Sequence, residues 1–350
     1  MIESRNSSIA AMNPMERQRL IESWLRQIHP DRSIALAPAS ADASFRRYFR
    51  LNFADGGSAI VMDAPPQQED CRPWLAVQRL FRDAGVHVPE VLAQDLQQGF
   101  LLISDLGNDT YLQCLREATP QQATRLYADA TAALVKIQGA SRPGRLPEYN
   151  RALLLRELEL FPDWYVARHV GGSLSASQRE ILSQAFEQIL AVNLAEAQVF
   201  VHRDYHSRNL MAIAEDSGPG IIDFQDAVYG PISYDLVSLF KDAYIAWEEE
   251  QTLDWLIRYW EAARRAHLPV PSDFAEFHRN YEWMGVQRHL KVLGIFARLY
   301  HRDGKSSYLA DMPLVAEHLR QTCARYRPLG PLARLVDELE ERERRVGYSF

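Results

Sequence analysis

The sequence predicts an α+β protein in which a small β-rich part precedes a larger, mainly helical part. Up to residue 105, short apolar stretches of strand length alternate with turn residues, whereas beyond Gly107 apolar residues recur mostly at helical spacing. The chain has 350 residues, of which 47% are hydrophobic, so it can form two subdomains with sizeable cores. We therefore divide it into a flexible tail (residues 1–13), an N-terminal lobe (14–105) and a C-terminal lobe (106–350).

The first helix of the N-terminal lobe is predicted to begin at Asn13. This residue can cap the helix, with Pro14 in the first turn and Glu16 in the capping-box position. Five strands are predicted to follow: 34–37, 47–53, 58–62, 90–94 and 100–104. The "DGG" at 55–57 joins the second and third strands as a hairpin, and a helix over 71–82 separates the third from the fourth.

The C-terminal lobe departs from helical spacing in only a few places. Short apolar runs at 199–202, 210–213 and 220–224 predict a small β-hairpin within it. The run "EEE" at 248–250 and the run "ELEERERR" at 338–345 are typical of solvated helix faces.

Composition excludes several classes of protein. The formal net charge is −7, so there is no basic footprint for nucleic acid. Cys71, Cys114 and Cys323 are scattered, which indicates neither a disulfide framework nor a zinc site and favours a reducing compartment. No apolar run approaches the ~18 residues of a membrane span, and the first residues do not resemble a signal peptide. We expect a cytoplasmic monomer that binds neither nucleic acid nor membranes.

The stretch "VHRDYHSRNLM" contains the residues on which a function can be argued. Asp204 and Asn209 lie in a loop between two predicted strands, and Asp223 closes the next strand, so the hairpin should bring all three to one end. Two carboxylates and an amide oxygen are hard ligands suited to magnesium. Phosphoryl transfer needs such a metal on the phosphates and a carboxylate, here Asp204, that orients and deprotonates the acceptor alcohol.

The alternative is that these residues only form turns around a core histidine. The spacing of these residues argues against that alternative, because H-R-D-x4-N followed by D-F is the pattern of the protein-kinase catalytic loop. In this chain the pattern is His202-Arg203-Asp204, then Asn209, then Asp223-Phe224.

Together with "IIDFQDAVYGPISYDLVSLFKDAY", this stretch resembles the aminoglycoside phosphotransferase/choline kinase superfamily. Members of that superfamily share a bilobal protein-kinase-like fold and phosphorylate small-molecule hydroxyl groups with ATP. Within it, "ASFRRYFRL", "AIVMDAPP" and "FLLISDLG" resemble the bacterial anomeric sugar kinases. Those enzymes phosphorylate N-acetylmuramate and N-acetylglucosamine at C1 during peptidoglycan recycling. The resemblance covers nearly the whole chain, from Met15 to the last helices.

The resemblance implies ATP and Mg²⁺ as cofactors and assigns a role to each matching residue. Asp204 matches the catalytic base, and Asn209 and Asp223 match the magnesium ligands. Two segments of the N-terminal lobe match the nucleotide site. They are the hinge that meets adenine (Ser104, Asp105 and Leu106) and the loop that covers the phosphates (Ser40, Ser44 and Arg46).

The sequence departs from the protein-kinase pattern at the nucleotide site. Protein kinases pair a strand lysine with a helix glutamate, but residues 51–71 contain no Lys, Arg or His, and the helix predicted over 71–82 contains no acidic residue. Both halves of the ion pair are missing, which favours a rebuilt phosphate site. We expect Arg46, Arg47 or Arg50 to replace the lysine. The alternative is that all three lie on the surface.

The acceptor substrate should lie beside Asp204, at the junction of the lobes. Arg288 and Lys291 are three residues apart and share a helix face; the alternative is that this face is only solvated. Trp283 could stack on a sugar ring; the alternative is that it packs in the core. Residues 271–305 carry six Lys/Arg and four Asp/Glu, which suits a lactyl carboxylate better than a polycationic aminoglycoside. The candidate substrate-binding residues are Tyr205, His206, Arg208, Gln225, Trp283, Arg288 and Lys291.

Three functions remain open from the sequence. The first is an ATP-dependent kinase acting on the C1 hydroxyl of an amino sugar. The second is a kinase of the same fold acting on an aminoglycoside, choline, homoserine or another alcohol. The third is a nucleotide-binding pseudokinase, which the missing lysine favours and the intact Asp204, Asn209 and Asp223 oppose.

Overall fold

The structure is a computed structural model that describes residues 14–41, 46–213 and 218–347. The chain divides into two compact units. The sheet unit contains the described residues up to Arg79 together with Val88–Gly107, and the helical unit contains Leu80–His87 and the described residues from Asn108 onward. The predicted tail, residues 1–13, lies outside the described residues.

The sheet unit contains a five-stranded antiparallel sheet in the order β1-β2-β3-β5-β4. Its strands are β1 (Ile34–Ala41), β2 (Arg47–Phe53), β3 (Ser58–Asp63), β4 (Val91–Asp95) and β5 (Phe100–Ser104). Each lies where the sequence predicts a strand. The "DGG" turn between β2 and β3 depends on its glycines, because Gly56 and Gly57 have φ values of 98° and 84°.

One face of this sheet is covered by helix α1 (Pro14–Ile28). The apolar stripe of α1 supplies Ile21, Trp24 and Leu25, and the ring centroids of Trp24 and Phe100 are 5.6 Å apart. The sheet residues buried in the same cluster are Leu51, Ala59, Val61, Phe100 and Leu102. This core keeps β2, which carries Arg47 and Arg50, in a fixed register with β3.

Helix α2 (Cys71–Asp83) connects β3 to β4 and passes from the sheet unit into the helical unit. The helical unit holds the remaining α-helices, together with a π-helical segment at Phe161–Val170. They are α3 (Tyr111–Glu117), α4 (Pro120–Gly139), α5 (Arg151–Leu158), α6 (Ala176–Asn193), α7 (Tyr234–Phe240), α8 (Glu249–Arg265), α9 (Phe274–Asp303), α10 (Met312–Arg325) and α11 (Gly330–Gly347). The sheet followed by helices confirms the predicted α+β class.

The 30-residue helix α9 is the central element of the helical unit. It packs against α5, α6, α7, α10 and the π-helical segment. One contact requires glycine, because a Cβ atom on Gly294 would lie 2.4 Å from the carbonyl oxygen of Leu160. This close approach brings the start of the π-helical segment against α9.

Two short antiparallel ribbons lie within the helical unit. One pairs β6 (Gln198–Val201) with β9 (Val228–Pro231), and the other pairs β7 (Leu210–Met211) with β8 (Gly220–Ile221). The sequence predicts β6, β7 and β8 but not β9. Among the described residues, no helix combines the length and the apolar character that crossing a membrane requires.

Candidate active site

The loop between β6 and β7 carries the predicted catalytic residues, and Asp235 of α7 holds its first turn in place. The Asp235 carboxylate accepts hydrogen bonds from the backbone N–H groups of His202, at 2.7 Å, and Arg203, at 3.0 Å. Arg203 has a φ of 78°, which is unusual for a residue other than glycine. Burial raises the pKa of Asp235 to about 7, although the two N–H groups oppose the shift. This buried carboxylate therefore stabilises a strained turn directly before Asp204.

His202 ties the same loop to the segment that carries Asp223. Its ring is fully buried and stacks on Phe81 with centroids 6.1 Å apart. Burial lowers its pKa to about 4, so the ring is neutral. Nδ1 accepts the backbone N–H of Asp204 at 3.3 Å, and Nε2 can then donate to the Ile222 carbonyl oxygen at 3.0 Å. His202 consequently has a structural role in the site.

The structure brings Asp204, Asn209 and Asp223 together. Asn209 Nδ2 donates to the Asp204 carbonyl oxygen at 3.0 Å and approaches Asp223 Oδ2 at 3.4 Å. The backbone N–H of Ile222 donates to the Asn209 carbonyl oxygen at 3.1 Å. Asp223 has a φ of 61°, and its Oδ1 accepts a hydrogen bond from Gln225 Nε2 at 2.8 Å. The candidate substrate residue Gln225 thus contacts a candidate metal ligand.

These three residues have the chemistry of a magnesium site that is completed by phosphates. The described residues contain no cluster of three or more His, Cys, Asp or Glu that could hold a metal alone. Magnesium, however, is usually bound by one or two carboxylates, water and the phosphates of a substrate. Because Asn209 uses Nδ2 within the loop, its amide oxygen is the atom suited to a metal, beside the carboxylate of Asp223. The donor set fits the ion.

Cations surround the half-buried Asp204. Burial opposes its negative charge, but the charges of Lys291, His206, Arg203 and Arg288 outweigh burial and lower its pKa to about 2. The carboxylate is therefore ionised at neutral pH and can accept a hydrogen bond from a hydroxyl group.

The two cations predicted on α9 differ in their partners. Lys291 is 6% exposed, and its Nζ donates to the Tyr234 hydroxyl at 2.9 Å and lies 3.3 Å from Glu157 Oε1. Arg288 is 3% exposed, and its Nη1 is buried with no hydrogen-bond partner in the part of the chain that the structure describes. A buried guanidinium N–H without an acceptor is costly. Arg288 is therefore the cation suited to an incoming anionic group.

Glu157, on α5, is a buried carboxylate with several donors around it. Its Oε1 pairs with Arg203 and Lys291, and its Oε2 accepts hydrogen bonds from Tyr149 and from Gln287, the latter at 3.3 Å. Burial opposes its charge, but Lys291 and Arg203 outweigh burial and lower the pKa of Glu157.

His206 and Arg208 lie on the far part of the loop. The His206 ring meets Tyr244 edge-on with centroids 5.3 Å apart, and burial lowers its pKa. Its Nδ1 has no hydrogen-bond partner among residues 14–41, 46–213 and 218–347. The Arg208 guanidinium lies 3.6 Å from the Tyr244 ring centroid and 3.6 Å from Asp311 Oδ2. A substrate contact by either residue stays a prediction.

Two other candidate substrate residues are placed in the interior. Tyr205 is fully buried, and its hydroxyl group donates to the Ala130 carbonyl oxygen at 2.8 Å. Trp283 is 3% exposed, and its ring lies 5.8 Å from that of Tyr326. A buried ring packed against other side chains offers no face to a sugar. These placements favour packing roles over the predicted substrate contacts.

Two of the three candidate arginines of the sheet unit are held by carboxylates. Arg47 binds Asp63, which lies directly opposite it on β3, with Nε 3.1 Å from Oδ2. Arg50 binds Asp105 through Nε at 2.6 Å and Nη2 at 3.0 Å. Arg46, the third candidate, lies immediately before β2.

The other predicted nucleotide residues are placed as follows. Ser40 lies in β1 opposite Tyr48, and Ser44 lies outside the described residues. Ser104 ends β5 and accepts a hydrogen bond from the backbone N–H of Glu90 at 2.9 Å. Asp105 and Leu106 follow it, with the Asp105 side chain engaged by Arg50 and by Ser58. The side chains of Ser104 and Asp105 are therefore already engaged within the sheet unit.

Comparison with known proteins agrees with the fold and the loop. Residues 35–277 match the "Phosphotransferase enzyme family". The chain is 50% identical over 338 residues to an N-acetylmuramate/N-acetylglucosamine kinase of Neisseria meningitidis serogroup B, covering 96% of this chain and 100% of that protein. It is 46% identical over 340 residues to a protein of the same name from Pseudomonas aeruginosa, covering 94% and 99%. The chain belongs to this phosphotransferase family, which confirms the resemblance seen in its sequence.

Solved structures share the fold at low sequence identity. A choline kinase from Streptococcus pneumoniae superposes with a TM-score of 0.63 at 12% identity, covering 89% of this chain and 100% of that one. The streptomycin–ATP–APH(2")-IIa ternary complex gives 0.55 at 14% identity, covering 87% and 97%. These likenesses establish the kinase-like fold.

Two residues of the site lack a sequence signal as clear as the H-R-D-x4-N pattern. Asp235 stands in the first turn of a helix within an apolar stretch, and such a buried acid is a weak signal of a role at a loop. Glu157 lies in "RELEL", which looks like an ordinary solvated helix face. Only the packing of α5 against α9 reveals its partners.

Proposed function

We propose that the protein is an ATP-dependent kinase that transfers the γ-phosphate to the anomeric C1 hydroxyl of N-acetylmuramate and N-acetylglucosamine, in peptidoglycan recycling. The observation that carries the proposal is the 50% identity, over nearly the whole of both chains, to a kinase named for these two sugars. The loop geometry supports the chemistry, because a carboxylate, an amide and a second carboxylate converge as phosphoryl transfer requires.

Asp204 orients the acceptor in this proposal. Its carboxylate is ionised and flanked by cations, so it accepts the hydrogen bond of the attacking hydroxyl and aligns that oxygen with the γ-phosphate. The anomeric hydroxyl is the most acidic of a sugar, so a carboxylate can take its proton as the bond to phosphorus forms. His202 and Asp235 keep the loop rigid, which lets the carboxylate hold one position during the transfer.

The cofactors proposed are ATP and Mg²⁺. Magnesium, when bound, supplies charge neutralisation at the phosphates. Asn209 and Asp223 would hold it, with Gln225 orienting the Asp223 carboxylate. The support for ATP comes from the phosphotransferase family and from the ATP in a structurally similar complex. Arg46 and the backbone around Ser104 are proposed to contact the nucleotide.

The acceptor is proposed to meet Arg288. N-acetylmuramate carries a lactyl carboxylate that N-acetylglucosamine lacks, and Arg288 offers a buried cationic N–H beside the charge of Asp204. Lys291 is less suited, because Glu157 and Tyr234 already use its ammonium group.

We further propose a cytoplasmic monomer acting on a small amino sugar. The cytoplasmic location is in keeping with three free, scattered cysteines.

The test is a measurement of ATP consumption with Mg²⁺ against a panel of sugars and alcohols, with the phosphorylated position read by ³¹P NMR. We expect turnover with both amino sugars, phosphate on C1, and no turnover with choline or kanamycin. Phosphate on C6 or on kanamycin would contradict the acceptor assignment. Absence of turnover with every acceptor, despite nucleotide binding, would instead support a pseudokinase.

A further inference from the structure

A buried carboxylate on α5 connects two cations that act on Asp204. Glu157 is 5% exposed, and its Oε1 binds both Arg203, from the β6–β7 loop, and Lys291, from α9. Its Oε2 accepts hydrogen bonds from Tyr149 and from Gln287. The carboxylate thereby joins α5, α9 and the loop at one point.

The cations need this carboxylate to remain where they are. Arg203 and Lys291 approach the same oxygen atom, so without its charge the half-buried guanidinium and the buried ammonium group would repel each other. Arg203 directly precedes Asp204, and its backbone has a positive φ. A shift of the Arg203 side chain would therefore be transmitted to Asp204 through one peptide unit.

We propose that Glu157 is a positioning residue for phosphoryl transfer, which fixes Arg203 and Lys291 and through them the orientation of Asp204. The inference rests on the proposed kinase function. It goes beyond that function because Glu157 belongs to none of the motifs that indicate it. Glu157 touches neither phosphate nor acceptor in this proposal; it acts only through its two cations.

The charge state of Lys291 distinguishes this role from ordinary packing. The groups that face Lys291 are Glu157 on α5, Tyr234 on α7, and Arg203 and Asp204 in the loop. Burial opposes the ammonium charge, but Glu157 and Tyr234 outweigh burial and raise the pKa of Lys291. A group whose folded pKa is raised keeps its proton up to higher pH, so Lys291 stays charged throughout the neutral and mildly alkaline range.

The experiment replaces Glu157 by glutamine, which keeps the shape and removes the charge. In Glu157→Gln we expect kcat to fall about 10- to 100-fold, as displacing a group that orients the reacting centre does, with an unchanged KM for ATP. Without the charge of Glu157, burial should lower the pKa of Lys291 below about 10.4, the ordinary lysine value. The plot of kcat against pH should then show a new decrease on the alkaline side, as Lys291 loses its proton. This alkaline limb should vanish in the double variant Glu157→Gln/Lys291→Met.

Glu196→Gln is the matched control. Glu196 is also a buried glutamate of the helical unit, 7% exposed and bonded to Ser233, and burial raises its pKa to about 8. It is therefore protonated near pH 7, and its exchange for glutamine should leave kcat and the pH profile unchanged.

Three results would overturn the proposal: an unchanged kcat in Glu157→Gln, a lowered kcat without the alkaline limb, or the same limb in Glu196→Gln. If Glu157→Gln fails to fold, Glu157→Asp decides, because it keeps the charge but, being shorter, withdraws the oxygen atom that holds Arg203 and Lys291 in place. A lowered kcat then supports the positioning role, and an unchanged kcat refutes it. All rates are compared with the unmodified protein, so failure of the kinase function itself would be seen separately as absence of turnover in that protein.

Discussion

Replacing Arg288 should change which amino sugar the protein prefers. Arg288 is 3% exposed on α9, and its Nη1 has no acceptor within the described residues. If the lactyl carboxylate of N-acetylmuramate supplies that acceptor, Arg288→Gln removes a charge-assisted hydrogen bond. Such a bond contributes about 1.5–3 kcal/mol, and each 1.4 kcal/mol corresponds to about tenfold. We expect kcat/KM for N-acetylmuramate to fall roughly ten- to a hundredfold further than kcat/KM for N-acetylglucosamine.

The ratio between the two sugars is the informative quantity. Arg288 also lowers the pKa of Asp204 by its charge, so its removal is expected to lower turnover with both sugars, and this shared loss cancels in the ratio. The measurement is a pair of steady-state assays, with thermal unfolding of each variant as a check on folding. Arg288→Lys should keep part of the preference, because it keeps the charge but loses the fork of N–H donors.

Arg298→Gln is the matched control for this experiment. Arg298 lies on the same helix and has a buried Nε without a hydrogen-bond partner among the described residues. Unlike Arg288, it is not among the charges that lower the pKa of Asp204. Its replacement should leave the sugar ratio unchanged. Equal losses for both sugars in Arg288→Gln would refute the reasoning and place the carboxylate elsewhere.

Three further predictions concern the reacting centre and the nucleotide. Asp204→Asn should leave ATP binding nearly intact and lower kcat by at least ~10²-fold, the lower range for a positioned base; retention of most activity would remove Asp204 from that role. Asp223→Ala should weaken binding of magnesium–nucleotide as well as turnover, which an unchanged Mg²⁺ dependence of the rate would contradict. Arg46→Gln should raise the KM for ATP and leave the sugar KM unchanged. Arg47→Gln and Arg50→Gln should instead lower thermal stability, because they break the ion pairs with Asp63 and Asp105. Normal ATP kinetics in all three arginine variants would assign the phosphates to backbone and metal alone.

The sequence predicts well those features that local pattern determines. All five strands of the sheet unit lie where apolar stretches and turn residues place them, because alternation and the glycines at 56 and 57 are local properties. The meeting of Asp204, Asn209 and Asp223 also follows from local pattern, since a short hairpin joins them. The strand β9 was not predicted, because its pairing with β6 spans a long stretch of chain.

The remaining features depend on packing between distant elements. Nothing near Glu157 in sequence indicates that it is buried, and its cations come from residues 203 and 291. The same holds for Tyr205, which follows Asp204 yet points its hydroxyl group to Ala130 on α4. Adjacency in sequence therefore predicted a substrate contact where the tertiary structure makes a core contact. Likewise, only the structure distinguishes Lys291, which has an internal anion, from Arg288.

The buried Arg288 also bears on how one fold serves different acceptors. The structurally similar choline kinase and streptomycin complex establish only the fold, so the acceptor is argued from the relatives of high sequence identity and from the side chains around Asp204. A guanidinium that attracts a carboxylate repels an ammonium group. At a separation of about 5 Å and an effective dielectric constant of about 20, that repulsion is about 3 kcal/mol, or roughly a hundredfold in affinity. In the proposed role, Arg288 would therefore act in both directions, favouring an anionic or neutral sugar and disfavouring an aminoglycoside or choline. Specificity of this kind needs the repulsive element as much as the attractive one.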